Sequence, residues 1–174
     1  SATSFDAAYP RAAMTDARVG QQIAMTALDR SQILALPEGQ WDQLVRNALV
    51  ENPFYTRMQV QAALDSVDRG KALRGLSFYA PDGLLIGLFL FQPRSKVPAP
   101  FAVANSLSNN YLLNGIPLIH RDHAPAVIDA WLDRVKGGQA PGLWAFDDVH
   151  MDSPLFALMT RGAEKRGVSL ASAL

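Results

Sequence analysis

The sequence predicts an α/β domain in which a mixed, twisted sheet carries helices on both faces. Three observations lead to this fold class. Pro81-Asp82-Gly83 separates two apolar stretches, which is typical of a β-hairpin turn. The run over residues 84–91 is apolar on both faces, which indicates a central strand. In the second half of the chain, short strand patterns alternate with helical ones, which favours βαβ units.

The predicted order of elements is β-α-α-β-β-β-α-β-α-β. Residues 22–28 are expected to form the first strand. The first helix is expected to end at Asn52-Pro53, because a residue that precedes proline avoids the helical region. A second helix is expected over residues 56–67, with Thr56 as its cap. The first helix is predicted from a stripe at i, i+3, i+4, i+7 and i+8: Trp41, Leu44, Val45, Ala48 and Leu49. The second is predicted to bury Met58, Ala62 and Leu64.

The later elements follow from turn and cap signals. Residues 73–79 and 84–91 form the predicted hairpin, residues 101–104 a short strand, residues 105–110 a polar loop, and residues 111–119 a partly extended segment. A helix begins at Asp122, which can cap it, and Pro125 suits its first turn. Residues 143–146 are a short strand, Asp152 or Ser153 caps the last helix, and residues 168–174 are the last strand. Residues 1–20 are expected to be a loosely held arm, and residues 21–174 the domain.

Composition and charge exclude several classes of function. The chain has 174 residues, 49% of them hydrophobic, and a formal net charge of zero, which excludes whole-chain disorder and gives no basic stripe for nucleic acid. It has no cysteine, which excludes disulfide scaffolds and thiol catalysis. No apolar run approaches the roughly 20 residues of a membrane helix. We therefore expect no nucleic acid and no membrane span, and a cytoplasmic location agrees with the absence of cysteine.

Two polar clusters follow predicted strands. They are His120, Arg121 and His123 after one strand, and Asp147, Asp148 and His150 after the other. If the two strands are parallel neighbours, both clusters lie on one rim of the sheet, where ligands bind in open α/β folds. His120, His150 and Asp148 are then the candidate catalytic groups, since a His–Asp pair can act as a general base. Arg121 and His123 are candidate substrate contacts. The alternative is that these loops are polar only because they lie at the surface.

Other candidates carry less chemistry. Asn110 and Tyr111 are candidate substrate contacts, because amide and aromatic groups together suit sugar recognition, although asparagine also favours turns. Arg94 and Lys96 lie between prolines and suit either an anionic partner or a solvated loop. The three histidines lack the i, i+4 spacing that directs two imidazoles at one ion, so no metal site is predicted. A Ser-His-Asp hydrolase is excluded, since the sequence has no Gly-x-Ser-x-Gly.

Several short strings, in their order and spacing, point to one family. They are Trp41-Asp42-Gln43-Leu44, Asn52-Pro53-Phe54-Tyr55, Gly83-Leu84-Leu85-Ile86-Gly87, Asn110-Tyr111, Gly115-Ile116-Pro117-Leu118-Ile119 and Met151-Asp152-Ser153-Pro154-Leu155. Over most of residues 22–174 the chain resembles the N-terminal half of the CelD-like, cellulose-biosynthesis branch of the GNAT acyltransferase superfamily. The resemblance implies a GNAT-like fold and transfer of an acyl group from acyl-coenzyme A to an amine or hydroxyl, on a polysaccharide or envelope precursor.

The resemblance also implies a division of labour. CelD-like proteins resemble a tandem of two GNAT-like halves, in which acyl-coenzyme A is bound mainly by the second half. The GNAT pyrophosphate loop reads Gln/Arg-x-x-Gly-x-Gly/Ala and lies between the fourth strand and the next helix, where backbone N–H groups hold phosphates. The matching residues 119–125 contain no glycine, Asp122 adds a negative charge, and Pro125 lacks a donor.

We therefore expect this chain to bind no cofactor alone, and to form the non-catalytic, substrate-side half of an acetyl-coenzyme A-dependent acyltransferase. Its expected partner is a second GNAT-like domain of the same protein or a second copy of this chain. Two alternatives stay open. One is a self-contained interaction domain that dimerises through an unpaired last strand near Val168. The other is a single-domain N-acetyltransferase with a degenerate cofactor loop.

Overall fold

A computed structural model describes residues 23–66, 72–93, 102–108 and 114–171. Within these ranges the chain forms a mixed sheet of six strands in the order β1-β2-β3-β4-β6, with β5 paired to β3. The strands are β1 Ala24–Asp29, β2 Arg74–Tyr79, β3 Leu85–Pro93, β4 Val103–Ser106, β5 Leu118–Ile119 and β6 Leu143–Ala145. The helices are α1 Arg30–Leu34, α2 Glu38–Arg46, α3 Arg57–Ser66, α4 Ala124–Lys136 and α5 Pro154–Arg166, with a 3₁₀ turn at Pro53–Tyr55. The α/β class with a mixed sheet is confirmed.

The predicted hairpin is present as β2 and β3. Gly83 takes a φ of 84°, its N–H donates to the carbonyl of Ala80 at 2.9 Å, and the Asp82 carboxylate accepts from the N–H of Leu84 at 3.1 Å. Asp82 and Gly83 therefore play the parts in the turn that their chemistry predicts. Every residue from Leu85 to Phe91 is buried, so β3 is the central strand that the apolar run predicts.

Side chains on β3 divide the core between the two faces of the sheet. Leu88 and Leu90 pack with the first three helices, and Ile86 and Phe89 pack with the last two. The first cluster includes Ile33, Trp41, Leu44, Val60 and Leu64, and the second includes Val127, Ile128, Trp131, Leu155 and Met159. Helices lie on both faces of the sheet, as predicted. Because their apolar residues cover both faces of β3, the side chains of this strand are apolar on both sides.

Strands β4 and β5 lie along the same edge of β3, one after the other. Ser106 at the end of β4 is opposite Phe91, and Leu118 in β5 is opposite Leu88. Together they form one interrupted strand that is antiparallel to β3. Its outer edge has two neighbours: β6 runs parallel to β4, and Ala48 forms an antiparallel bridge with His120 just beyond β5.

The first half of the chain departs from prediction at the helices. Helix α2 ends at Arg46 and not at Asn52, because Leu49 donates its N–H to the carbonyl of Ile119 at 2.7 Å and so leaves the helix for the sheet. Helix α1 is absent from the prediction. It begins with a capping box between Asp29 and Gln32.

The second helix of the prediction is shifted in its buried face and its ends. Thr56 accepts from the N–H of Gln59 at 3.3 Å, so its role as cap is confirmed. Met58, by contrast, is 77% exposed, and Ala62 is exposed as well. The buried residues are Val60, Ala63 and Leu64. The predicted burial of Met58 and Ala62 is wrong, because apolar residues on a short surface helix do not all face the core.

In the second half, the helix caps are corrected in part. His123, not Asp122, is the N-cap of α4, and it makes no side-chain cap bond, while Pro125 does lie in the first turn. Ser153 caps α5 by accepting from the N–H of Phe156 at 3.1 Å, and Gly167 ends α5 in the left-handed region.

The predicted last strand is wrong over its described part. Residues 168–171 form no strand, and residues 169–171 are exposed. The N–H of Val168 bonds back to the carbonyl of Ala163 at 2.9 Å, so this segment completes a helix end and buries no apolar face. The alternative of dimerisation through this strand therefore loses the feature on which it depended.

Strand ends differ by a few residues from prediction. Strand β1 begins at Ala24 and β4 covers Val103–Ser106, so Asn105 and Ser106 belong to a strand and not to a loop. Residues 1–22, 67–71, 94–101, 109–113 and 172–174 lie outside the described residues, and with them the predicted N-terminal arm, Arg94, Lys96, Asn110 and Tyr111.

Candidate functional site

The two predicted polar clusters follow strands that are not paired with each other. Strand β6 pairs with β4, whereas the outer edge beyond β5 pairs with Ala48. Within the described ranges, no hydrogen bond, ion pair or ring contact joins His120 or His123 to Asp148 or His150. The catalytic roles of these residues therefore stay a prediction, and the structure supplies no bond between the proposed acid–base partners.

His120 is a buried residue of the turn after β5. Its side chain is packed so that the residue is only 6% exposed, and its Nδ1 accepts from the N–H of Asp122 at 3.1 Å. A nitrogen that accepts cannot carry a proton, so the neutral ring holds its proton on Nε2. Burial lowers the pKa of His120, and the neighbouring His123, whose ring centroid lies 5.1 Å away, lowers it further.

Four consecutive backbone donors of this turn are engaged within the chain. The N–H groups of four consecutive residues, from His120 to His123, each donate to an internal acceptor. In order, the acceptors are the carbonyl of Ile86 at 2.8 Å, the carbonyl of Asn47 at 2.9 Å, Nδ1 of His120 at 3.1 Å and the carbonyl of His120 at 3.0 Å. Because Pro125 has no N–H either, the turn offers few free donors to a bound anion.

Arg121 connects this turn to the end of α2. Its Nη2 donates to the carbonyl of Arg46 at 2.8 Å, and its Nε donates to the carbonyl of Asn47 at 3.3 Å. These carbonyls lack intrahelical partners, and a cation near them favours the negative end of the helix dipole. The guanidinium has five N–H donors, so it retains donors beyond these two bonds.

A concavity of about 450 Å³ lies between the end of α2, the segment that follows it and Arg121. Its volume is within the range of small-molecule sites. Among the described residues, three charged ones line it, Arg46, Glu51 and Arg121, together with the apolar Val45, Leu49 and Pro53. Of the predicted site residues that the structure describes, only Arg121 lines this concavity.

Asn52 anchors the floor of the concavity, and sequence reasoning missed it. It is 1% exposed, and its Nδ2 donates to the carbonyls of Asn114 at 3.1 Å and Ile116 at 2.7 Å. Its Oδ1 accepts from the N–H of Phe54 at 3.2 Å. The sequence shows Asn52-Pro53 as a helix stop, and only the long-range bonds reveal that the same amide ties the segment before β5 to the 3₁₀ turn.

Tyr55 is the second anchor that the sequence did not indicate. It is fully buried, and its hydroxyl donates to the carbonyl of Leu107 just after β4. Burial and the negative charge of Asp147 raise the pKa of Tyr55, so the phenol stays protonated. Ser106 Oγ accepts from the N–H of Asp147 at 3.0 Å, which joins the end of β4 to the loop after β6.

The loop after β6 carries the remaining predicted residues. Asp148 and His150 are both exposed. Asp148 has a φ of 66°, and it is the one residue other than glycine with a positive φ in the described part of the chain. Among the described residues, no group of three or more His, Asp or Glu side chains is arranged to hold a metal ion. In the same ranges, every helix is too short or too polar to cross a bilayer.

Comparisons of the chain with protein-family models, with curated proteins and with solved structures each returned no match.

Proposed function

We propose that this chain is a GNAT-like domain that serves as the non-catalytic, substrate-side half of an acyl-coenzyme A-dependent acyltransferase in polysaccharide or envelope biosynthesis. In this proposal a second GNAT-like domain binds the acyl donor, and this chain helps to shape the cleft for the acceptor.

The topology of the second half supports the GNAT-like part of the proposal. The interrupted strand of β4 and β5 leads through a turn into α4, and the chain then returns as β6, parallel to β4, before α5. Beyond Asn105, the last residue of β4 in register with β6, Ser106 still joins the loop after β6, because its Oγ accepts from the N–H of Asp147 at 3.0 Å. The carboxyl ends of β4 and β6 thus lie together, and ligands in open α/β sheets usually bind beyond such ends.

The hydrogen bonds of the turn after β5 support the non-catalytic role in this proposal. The four amides from His120 to His123 already donate within the chain, and Asp122 brings a negative charge to the same turn. A diphosphate needs free N–H donors and no nearby carboxylate, so the residues present do not fit the pyrophosphate of coenzyme A. We therefore assign no chemical step through coenzyme A to this chain.

The covered edge of β5 supports the same conclusion. Ala48 and Leu49 occupy the outer edge of β5, where an incoming ligand would otherwise find free main-chain groups. What stays open is the concavity at the surface of this segment, which Arg121 lines. Arg121 is therefore the substrate contact that the proposal favours, while His120 supports the turn from within. The proposed roles of Asp148 and His150 require the partner half, which can reach them because both are exposed.

Calorimetric titration of the folded chain with acetyl-coenzyme A tests the proposal. We expect no saturable heat at ligand concentrations up to about 1 mM. A dissociation constant in the micromolar range would contradict the proposal and would favour the single-domain acetyltransferase. Circular dichroism of the same sample is the control that shows a folded α/β protein.

A further inference from the structure

We propose that the concavity beside α2 binds a small organic carboxylate, with Arg121 as its anchor. This inference goes beyond the proposed function, because it concerns a ligand that the chain binds alone, whether or not it is half of an acyltransferase.

The first argument is the state of Arg121. Its guanidinium is held in place by the carbonyls of Arg46 and Asn47, through Nη2 and Nε. Within the described ranges no carboxylate lies within ion-pair distance of Arg121. The side chain is thus fixed in position while its charge and its other donors stay available. A planar guanidinium fixed in this way matches the two oxygens of a carboxylate.

The second argument is the charge of the lining. Arg46 adds a second guanidinium, which likewise has no carboxylate partner in the described part of the chain, and Glu51 adds one carboxylate. Among the described lining residues, two positive charges outweigh one negative charge and the partial negative charge at the C-terminal end of α2, which favours an anion. Glu51 weakens this attraction, and the charges alone do not distinguish a carboxylate from phosphate.

The third argument is the shape of the wall. Val45, Leu49 and Pro53 are apolar, and the volume of about 450 Å³ is large enough for a small molecule. A short aliphatic body beside the charged group therefore fits the lining better than a purely inorganic anion does.

The test is an NMR titration of the ¹⁵N-labelled chain with three probes at low salt: butyrate, butyramide and inorganic phosphate. We expect butyrate to shift the amides of residues 45–53 and Arg121 saturably, with a dissociation constant on the order of 1 mM. Butyramide has the same shape without the charge and is expected to bind at least tenfold more weakly. No saturable shift with butyrate, or equal affinity for butyramide, would overturn the proposal. Phosphate binding as tight as that of butyrate would overturn the assignment to a carboxylate.

Variants separate the ligand site from the scaffold. Arg121→Gln should abolish binding, but it also removes the bonds to the end of α2. Glu51→Gln therefore gives the sharper result: we expect butyrate to bind roughly two- to fivefold more tightly, because the opposing charge is gone. Misfolding cannot produce such a gain, and unchanged or weaker binding in Glu51→Gln would contradict the proposal.

Arg46→Gln and Arg161→Gln form a matched pair. Each removes one positive charge, but Arg46 lines the concavity and Arg161 is an exposed residue of α5. We expect butyrate affinity to fall roughly two- to fivefold in Arg46→Gln and to be unchanged in Arg161→Gln. An equal loss in both variants would show a general effect of net charge, and the concavity would not be the site.

Discussion

Leu49 donates its backbone N–H to the carbonyl of Ile119 across 2.7 Å, and this bond closes the outer edge of β5 with the chain's own residues. Two residues further along the chain, the N–H of Arg121 donates to the carbonyl of Asn47 at 2.9 Å. The two bonds cover an edge whose main-chain groups would otherwise be free. A ligand that binds this chain is thereby directed to the surface concavity and away from the main chain of β5.

Replacement of Asn52 by alanine should be strongly destabilising. The variant leaves the buried carbonyl of Ile116 without its donor and the N–H of Phe54 without its acceptor. We expect a loss of about 2–4 kcal/mol in the free energy of unfolding, measured by urea denaturation. Asn47→Ala is the matched control, because the Asn47 amide bonds only the nearby carbonyl of Gln43 in an exposed setting, and we expect it to lose less than about 1 kcal/mol. Equal losses would show that the buried amide anchors nothing.

The interior of β3 should not tolerate a side chain at Gly87. A Cβ there would lie 3.0 Å from both Phe78 Cδ2 and Val127 Cγ1, and those two residues are fully buried. Gly87→Ala is therefore expected to cost about 1–3 kcal/mol through overpacking. Gly39→Ala in α2 meets no atom within 4 Å and should instead raise stability by up to about 1 kcal/mol through helix propensity. Thermal denaturation of both variants checks the opposite signs, and a gain in Gly87→Ala would show a looser core.

His120 should make the free energy of unfolding depend on pH below neutrality. Its pKa is lowered in the folded protein from an ordinary value of 6.5, so the folded state binds fewer protons than the unfolded state. Stability is therefore fully present above that value and is lost as the pH falls through it toward the folded pKa.

Urea denaturation between about pH 7.5 and about pH 5 measures the loss, and an NMR titration of the His120 ring gives the folded pKa. In His120→Gln, which does not titrate, the dependence over this range should be flatter. A ring that titrates at or above 6.5 would contradict the described burial and the Nδ1 acceptor.

Arg166 should couple α5 to α4 through two aspartates. Its Nε donates to Asp133 at 2.7 Å and its Nη1 donates to Asp129 at 3.0 Å. The bond from Arg166 lowers the pKa of Asp133 from 3.8, so its contribution is present above that pH and is lost as the pH falls further. Asp133 is largely exposed, so we expect a coupling of only about 0.5–1 kcal/mol in a double-mutant cycle of Arg166→Gln and Asp133→Asn near pH 7. Additive effects of the two substitutions would mean that the pair does not contribute.

Local chemistry made part of the fold predictable. Pro81-Asp82-Gly83 specifies a turn by itself, and a cap residue before Pro154 specifies a helix start, so both features were predicted from sequence, although Asp152 and Ser153 both stayed candidates for the cap. The capping box between Asp29 and Gln32 was equally readable, and α1 could have been found from it.

Long-range pairing made the rest unpredictable. Ala48 and Leu49 continue the apolar spacing of α2, but their partners in β5 lie some 70 residues away, and this pairing ends the helix earlier than the local pattern indicates. The local sequence around Asn52 and Tyr55 indicates only the end of a helix. Their wider structural role is not visible there, because the carbonyls to which they donate, those of Ile116 and Leu107, lie far along the chain. The same pairing places the segment after α2 beside Arg121, where the concavity lies, and no local signal in the sequence reports it.

The most direct test of the central claim follows the amides of His120, Arg121, Asp122 and His123 by NMR during a titration with acetyl-coenzyme A. If these N–H groups are engaged within the chain, they exchange slowly with solvent and their resonances do not move as the cofactor is added. Saturable shifts centred on these four amides, at cofactor concentrations below about 100 μM, would contradict the account, because they would show a diphosphate bound at this turn.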